Sequence, residues 1–147
     1  MTSDFFRSIV IATDGSENTQ KAISHGIKLA KLSGATVHAL HVVDTFSVTQ
    51  SWTAGKGTMN EILREDGLKA ISKVKKCGEA SGVEVREILL EGRPSNEIID
   101  FAENNDIDLI VMGTLGKTGL DRFLMGSVAE KVVRQSKVPV LVVRSKE

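Results

Sequence analysis

Five short apolar runs rich in β-branched residues set the main constraint on this chain: "SIVIAT" (Ser8 to Thr13), "VHALHVV" (Val37 to Val43), "VEVREILL" (Val83 to Leu90), "DLIVMG" (Asp108 to Gly113) and "VPVLVV" (Val138 to Val143). Each has the length and composition of a strand. Between them the apolar residues recur at helical spacing. Ala22, Ile23, Ile27, Leu29 and Ala30 mark a first helix, and Ile62, Leu68, Ile71 and Val74 a second. Ile98, Ile99 and Ala102 mark a third, and Val128, Val132 and Val133 a fourth. Strands this apolar on both faces must be covered on both faces. Strand and helix in alternation bring successive strands into parallel register through right-handed crossovers. The chain therefore reads as a three-layer α/β fold on a parallel sheet of five strands.

Two prolines sharpen this reading. In "EGRPSNEII", Pro94 suits the first turn of a helix, where its missing N–H costs nothing, and Ser95, Asn96 and Glu97 suit the positive end of the helix dipole. Pro139 falls inside the last strand, which places that strand at an edge. "DTFSVTQSWTAGKG", Asp44 to Gly57, is the one irregular stretch.

A chain of 147 residues fits one domain, residues 1–147, and buries enough core to need no staple. Cys77 is the only cysteine, which excludes an internal disulfide; in "KVKKCGEASG" it reads as a structural thiol of a helix. Lys plus Arg and Asp plus Glu each total 19, so no long-range field favours nucleic acid or anionic membranes. With no apolar run long enough to span a bilayer and no signal-peptide pattern, the expected location is the cytoplasm.

The chemistry concentrates in "GTLGKTGLDRFLMGS", Gly113 to Ser127. A P-loop would need glycine where Val111 stands, so Gly116-Lys117-Thr118 is not one. In an open parallel sheet, ligands bind beyond the carboxyl ends of the strands. Three features converge on that rim: "TDGSEN" after the first strand, the irregular stretch after the second, and the glycine-rich stretch after the fourth. Asp14 reads equally as a turn former and as an acceptor for a ribose or base edge. Gly113 and Gly116 allow close approach to an anion, while Ser127 and the N–H groups at its helix start, including that of Val128, would face a phosphate. The alternative is a plain strand-to-helix turn with Ser127 as N-cap. Residue chemistry alone leaves both open.

Gly113, Gly116, Gly126 and Ser127 form Gly-x-x-Gly, nine residues, Gly-Ser, a pattern that resembles the universal stress protein family. The resemblance extends through "IVIATDGSENTQKAI", "LHVVD", "GRPSNEIIDFAE", "DLIVMGTLGKTGL" and "SVAEKVVRQSKVPVLVV", nearly the whole chain, and the Gly-Ser form resembles the ATP-binding branch. It implies strand order 3-2-1-4-5, an adenine nucleotide alpha hydrolase-like fold, and an adenine nucleotide at the rim. Carried over by position, Ala12, Thr13 and Asp14 would meet adenosine, with Val43 offering backbone contacts to the adenine. Met112, Gly113, Leu115 and Gly116 would form the ribose and phosphate loop; Lys117, apart from the resemblance, reads as a charge partner for phosphate or as a solvated surface group. Gly126, Ser127 and Val128 would supply a second phosphate cluster. Two positions depart from the family: Ala12 stands where proline is common, and Leu115 where many relatives have a polar or basic residue.

The resemblance thus implies an ATP-binding, nucleotide-responsive module of the stress response, with Mg2+ or Mn2+ held by the phosphates. It also implies a homodimer joined through the C-terminal strand. No residue placed to orient an attacking water is evident, Asp121 and Glu130 suiting solvated positions equally, so hydrolysis is expected to be slow at most. Two alternatives, one an enzyme and one a receiver domain, have weaker support. An ATP-pyrophosphatase or adenylate-forming enzyme would want a phosphate loop after the first strand, and a phosphorylatable receiver would want an aspartate after the third. His25, His38 and His41 do not form a metal-ligand pattern; His38 and His41, an odd step apart on one strand, should face opposite ways. Trp52 could cover a base or pack locally.

Overall fold

The computed structural model describes residues 6–46, 56–114 and 125–144. Strand β1 (Ser8–Ala12) leads through a short 3-10 turn, Glu17–Thr19, into α1 (Gln20–Ser33). Then follow β2 (Thr36–Asp44), α2 (Lys56–Ala80), β3 (Val85–Gly92), α3 (Pro94–Asn104), β4 (Leu109–Gly113), α4 (Ser127–Gln135) and β5 (Val140–Val143). All strands pair in parallel in the order β3-β2-β1-β4-β5, as the family resemblance implies.

Alternation along the strands builds two cores. Ile9, Ile11, Val37, Ala39 and Val111 point to one face, where Ile23 and Ile27 of α1 and Ile71 and Val74 of α2 cover them. Val10, Leu40, Ile110 and Met112 point to the other, beneath Ile98 and Ala102 of α3 and Ala129 and Val132 of α4. Burying one such aliphatic side chain stabilises by about 1.5–3 kcal/mol, so a strand that loads both faces ties four helices to one sheet.

Pro94 stands as read, and the last strand is at an edge, although Pro139 precedes that strand instead of falling inside it. Pro94 opens α3 directly after its N-cap, Arg93. Pro139 lies just before β5, an edge strand, and uses only its carbonyl, which accepts from the Ile110 amide at 2.9 Å. Boundaries differ by one or two residues at several ends; β5, for example, starts at Val140 instead of Val138. β3 begins two residues later than the apolar run, because the Val83 amide closes the end of α2 on the Gly78 carbonyl at 2.8 Å. Its other end extends to Gly92, opposite Asp44 of a longer β2. α2 starts at Lys56, so the stretch read as irregular ends in helix.

His38 and His41 do face opposite ways. The His38 ring lies tilted against Phe101 of α3, centroids 5.8 Å apart, and its buried Nδ1 finds no hydrogen-bond partner among the described residues. Burial holds its pKa below 6.5, and the nearby Arg86 charge adds to this, while the Ile9 backbone and the Glu84 carboxylate pull the other way. The unfolded chain therefore takes up the proton more readily than the fold does. Stability present above pH 6.5 is lost as the pH falls through the lower folded-state value. Thermal melts between about pH 7.5 and pH 5.5 are expected to show a falling Tm. His38→Phe, which keeps a ring beside Phe101, should remove part of that fall; an unchanged pH profile would exclude His38 as its source.

Candidate functional site

The strand order reverses at one point. From β1 the chain builds outward to β2 and β3, then crosses back and adds β4 and β5 on the other side. The carboxyl ends of β1 and β4 therefore flank the crevice where such sheets take ligands. Ala12, Thr13 and Asp14 reach this rim from β1, Met112 and Gly113 from β4, and Gly126, Ser127 and Val128 from the start of α4. Sequence-distant candidates thus meet at one end of the sheet. Leu115, Gly116 and Lys117 lie outside the described residues, as do Thr118, Asp121 and Trp52.

The turn after β1 is held by a chain of hydrogen bonds. The Gly15 amide donates to the Thr13 hydroxyl at 3.1 Å, and Thr13 and Thr19 hydroxyls lie 3.1 Å apart. Thr19 gives its own proton to the Ser16 carbonyl at 2.9 Å. With one proton per hydroxyl, Thr13 must donate to Thr19. Asp14 accepts through one oxygen from the Ser16 amide at 2.9 Å and the Ser16 hydroxyl at 2.7 Å. The turn-forming role of Asp14 is therefore real, and both bonds fall on Oδ1. Gly15 sits at φ 83°, where a Cβ would lie 3.0 Å from that of Ala70 on α2.

At the other wall, the Thr114 amide donates to the Val143 carbonyl at 3.1 Å and the Thr114 carbonyl accepts from the Gly126 amide at 2.6 Å. This second bond brings the start of α4 to the end of β4. Gly126, not Ser127, is the N-cap, in extended conformation and without a side-chain cap bond. The capping role considered for Ser127 is corrected accordingly: it is the first helical residue, and its side chain is exposed. The first intrahelical bond runs from the Glu130 amide to the Gly126 carbonyl at 2.9 Å. The amides of Ser127, Val128 and Ala129 precede it, at the positive end of the helix. Glu130 pairs along the helix with Arg134 at 2.8 Å.

Val43 is 1% exposed, which closes its side chain to a ligand. Farther along the rim, the Arg93 guanidinium lies 4.5 Å from the centre of the Phe46 ring. A cavity of about 200 Å³ opens on the α1/α2 side of the β1 turn, lined by Thr13, Thr19, Ile23, Lys73 and Cys77. Cys77 packs against the core there, as its structural reading expects. Among the described residues, no group of three or more His, Cys, Asp or Glu side chains could hold a metal. Two site residues escaped the sequence reading. Thr114 joins the walls by its backbone alone, which leaves no side-chain signal. His41 had one: a polar residue in an apolar strand must find a partner, and its Nδ1 meets the Thr13 carbonyl at 2.8 Å.

A receiver domain would place its third strand beside the first, in the order 2-1-3-4-5. Here β3 is at the edge, away from Asp14. Comparison with known proteins agrees with the fold. The model of the universal stress protein family matches residues 5–144, and the chain belongs to that family. It is 46% identical over 142 residues to universal stress protein MJ0531 of Methanocaldococcus jannaschii, covering 96% of this chain and 84% of that one. The solved structure of MJ0577 from the same organism superposes with a TM-score of 0.86 at 34% identity, covering 97% of this chain and 99% of its own. A universal stress protein from Archaeoglobus fulgidus, solved in complex with dAMP, gives a TM-score of 0.65 at 26% identity, covering 95% and 99%.

The left-handed Gly15 gives a direct check on the β1 turn. Gly15→Ala should destabilise the fold by about 1–2 kcal/mol, the cost of placing a Cβ in that backbone region, with a further contribution from the Ala70 contact. Urea unfolding of the two proteins measures it; equal midpoints would mean that the turn does not need this conformation.

Proposed function

We propose that this protein binds ATP in the crevice between β1 and β4 and acts as a nucleotide-responsive binding module of the stress response. The observation that carries this reading is the start of α4. Three amides precede its first helical bond, and the Gly126–Thr114 contact holds them at the carboxyl end of β4. That arrangement suits a phosphate, because unpaired N–H groups and the helix dipole both favour an anion. Membership of the family and the dAMP complex of the Archaeoglobus relative support an adenine nucleotide as the ligand class.

In this reading Ala12, Thr13, Asp14 and the Val43 backbone surround the adenosine. Met112, Gly113, Leu115 and Gly116 follow the ribose and phosphates, and Gly126, Ser127 and Val128 close on the phosphates, with Lys117 as an outer charge. Mg2+ or Mn2+ would be carried by the phosphates rather than by a side-chain cage. The ion pair of Glu130 with Arg134 favours a surface role for that carboxylate, in keeping with binding rather than rapid hydrolysis.

ATP titration by calorimetry tests the site on variants that retain wild-type circular dichroism and cooperative melting. Gly116→Val should weaken binding more than Lys117→Ala, because a side chain would intrude where backbone and phosphate approach, whereas the lysine supplies an adaptable, screened charge. Ser127→Ala should fall between them, with affinity lowered about two- to twelvefold. Loss of binding in Lys117→Ala alone would replace this cradle by a lysine-centred site.

The edge strand β5 supports a homodimer in which two copies meet along Val140–Val143, since an unpaired apolar edge otherwise invites uncontrolled association. Light scattering at micromolar concentration should give twice the chain mass with or without ATP; a monomer in both states would overturn this assembly.

A further inference from the structure

We propose that His41 is a positioning residue of the nucleotide site, holding the Thr13–Asp14 turn in its ligand-facing shape through one imidazole hydrogen bond. The inference rests on the reading of the rim as a nucleotide site. Its physical basis is the way β1 leaves β2. The β1–β2 register ends at Ala12 and Leu40, and the last backbone bond runs from the Thr13 amide to the Leu40 carbonyl at 3.0 Å. A parallel ladder carried one step farther would bring the Val42 amide to the Thr13 carbonyl. That carbonyl instead accepts from the His41 ring at 2.8 Å. A carbonyl has no proton to give, so Nδ1 carries the hydrogen and the tautomer is set.

The consequence is a parting of the strands. β2 continues beside β3, Val42 opposite Leu90 and Val43 opposite Glu91. β1 meanwhile turns away at Thr13 into the hydrogen-bonded turn that carries Asp14. The rim opens between them, at the place where adenosine is proposed to lie.

The surroundings are shaped for this ring. His41 is 9% exposed on the α1/α2 face of the sheet. α2 passes over it with Gly67, where a Cβ would lie 2.6 Å from His41 Cδ2 and 2.8 Å from Leu89 Cδ1. Any larger residue at 67 would displace the imidazole. An apolar residue at 41 would fill the space but return the Thr13 carbonyl to the ladder or leave it unpaired; the first shifts the turn that carries Asp14 and the second loosens it.

The test compares His41→Leu with His41→Asn. Asparagine is the poorer packing residue, yet its amide nitrogen can donate from near the position of Nδ1. If His41 acts by positioning, His41→Leu lowers ATP affinity about tenfold while His41→Asn stays within about threefold of wild type. Thermal stability should not follow that order. In the ligand-free proteins, hydrogen exchange of the Gly15 and Ser16 amides should accelerate in His41→Leu and much less in His41→Asn. Should His41→Leu fail to fold, Gly67→Ala displaces the ring without removing it and should weaken ATP binding. Folded His41→Leu with wild-type affinity, or losses that track melting temperature in both variants, would overturn the proposal, as would equal exchange at Gly15 and Ser16. If wild-type protein binds no ATP while exchange still separates the variants, the nucleotide reading fails and His41 remains the support of the turn.

Discussion

Ile9, Val10 and Ile11 have no exposed surface, and enclosure of this central strand is the condition on which the rest of the structure depends. β1 has a neighbour on each side and helices on each face, so its backbone groups are taken by β2 and β4 and its side chains by two separate cores. A strand so enclosed has one place to meet solvent at the carboxyl end, where it leaves the ladder. Even its beginning is tied down: the Asp108 carboxylate accepts from the amides of Arg7 and Ser8 at 2.9 and 3.0 Å. The rigid strand and the exposed turn at its tip therefore arise from the same burial.

The two walls of the crevice are made differently. On the β1 side, short hydroxyl and carboxylate contacts within Thr13 to Thr19 shape the turn, with Gly15 supplying the one backbone conformation that other residues resist. On the β4 side, the contacts among the described residues are backbone ones: Thr114 is bonded to Val143 through its amide and to Gly126 through its carbonyl. One wall is shaped by side-chain contacts and the other by backbone bonds. That division suits a molecule with a polar ring system at one end and anionic groups at the other.

Much of this was readable from residue patterns. The five apolar runs are five strands, the helical spacings are four helices, and Pro139 marks an edge because a residue without an N–H cannot serve an interior ladder. The strand order came from family resemblance, since periodicity says nothing about which strands are neighbours. Boundaries slipped where tertiary contacts decide them. Val83 looks like strand but closes a helix, and β3 runs on to Gly92 because β2 continues beside it. Within the site, Asp14 and Gly126-Ser127 were visible as residue types, yet the capping assignment missed by one position because an extended glycine can cap without a side chain. Thr114 could not be found that way, since its contribution is a backbone carbonyl that any residue would bring.

The amide-built start of α4 has a kinetic consequence. Attraction from a helix end falls away within its first turn, and the chain's 19 basic and 19 acidic residues leave no net field to reach farther. An anion binding at this wall, as proposed, would not be drawn in by net charge and would be recognised on arrival. Encounter should therefore proceed at the unsteered diffusional rate and respond weakly to ionic strength. Discrimination among anions then falls to residence time: those whose oxygens fit the amides stay, and the others leave as readily as they came.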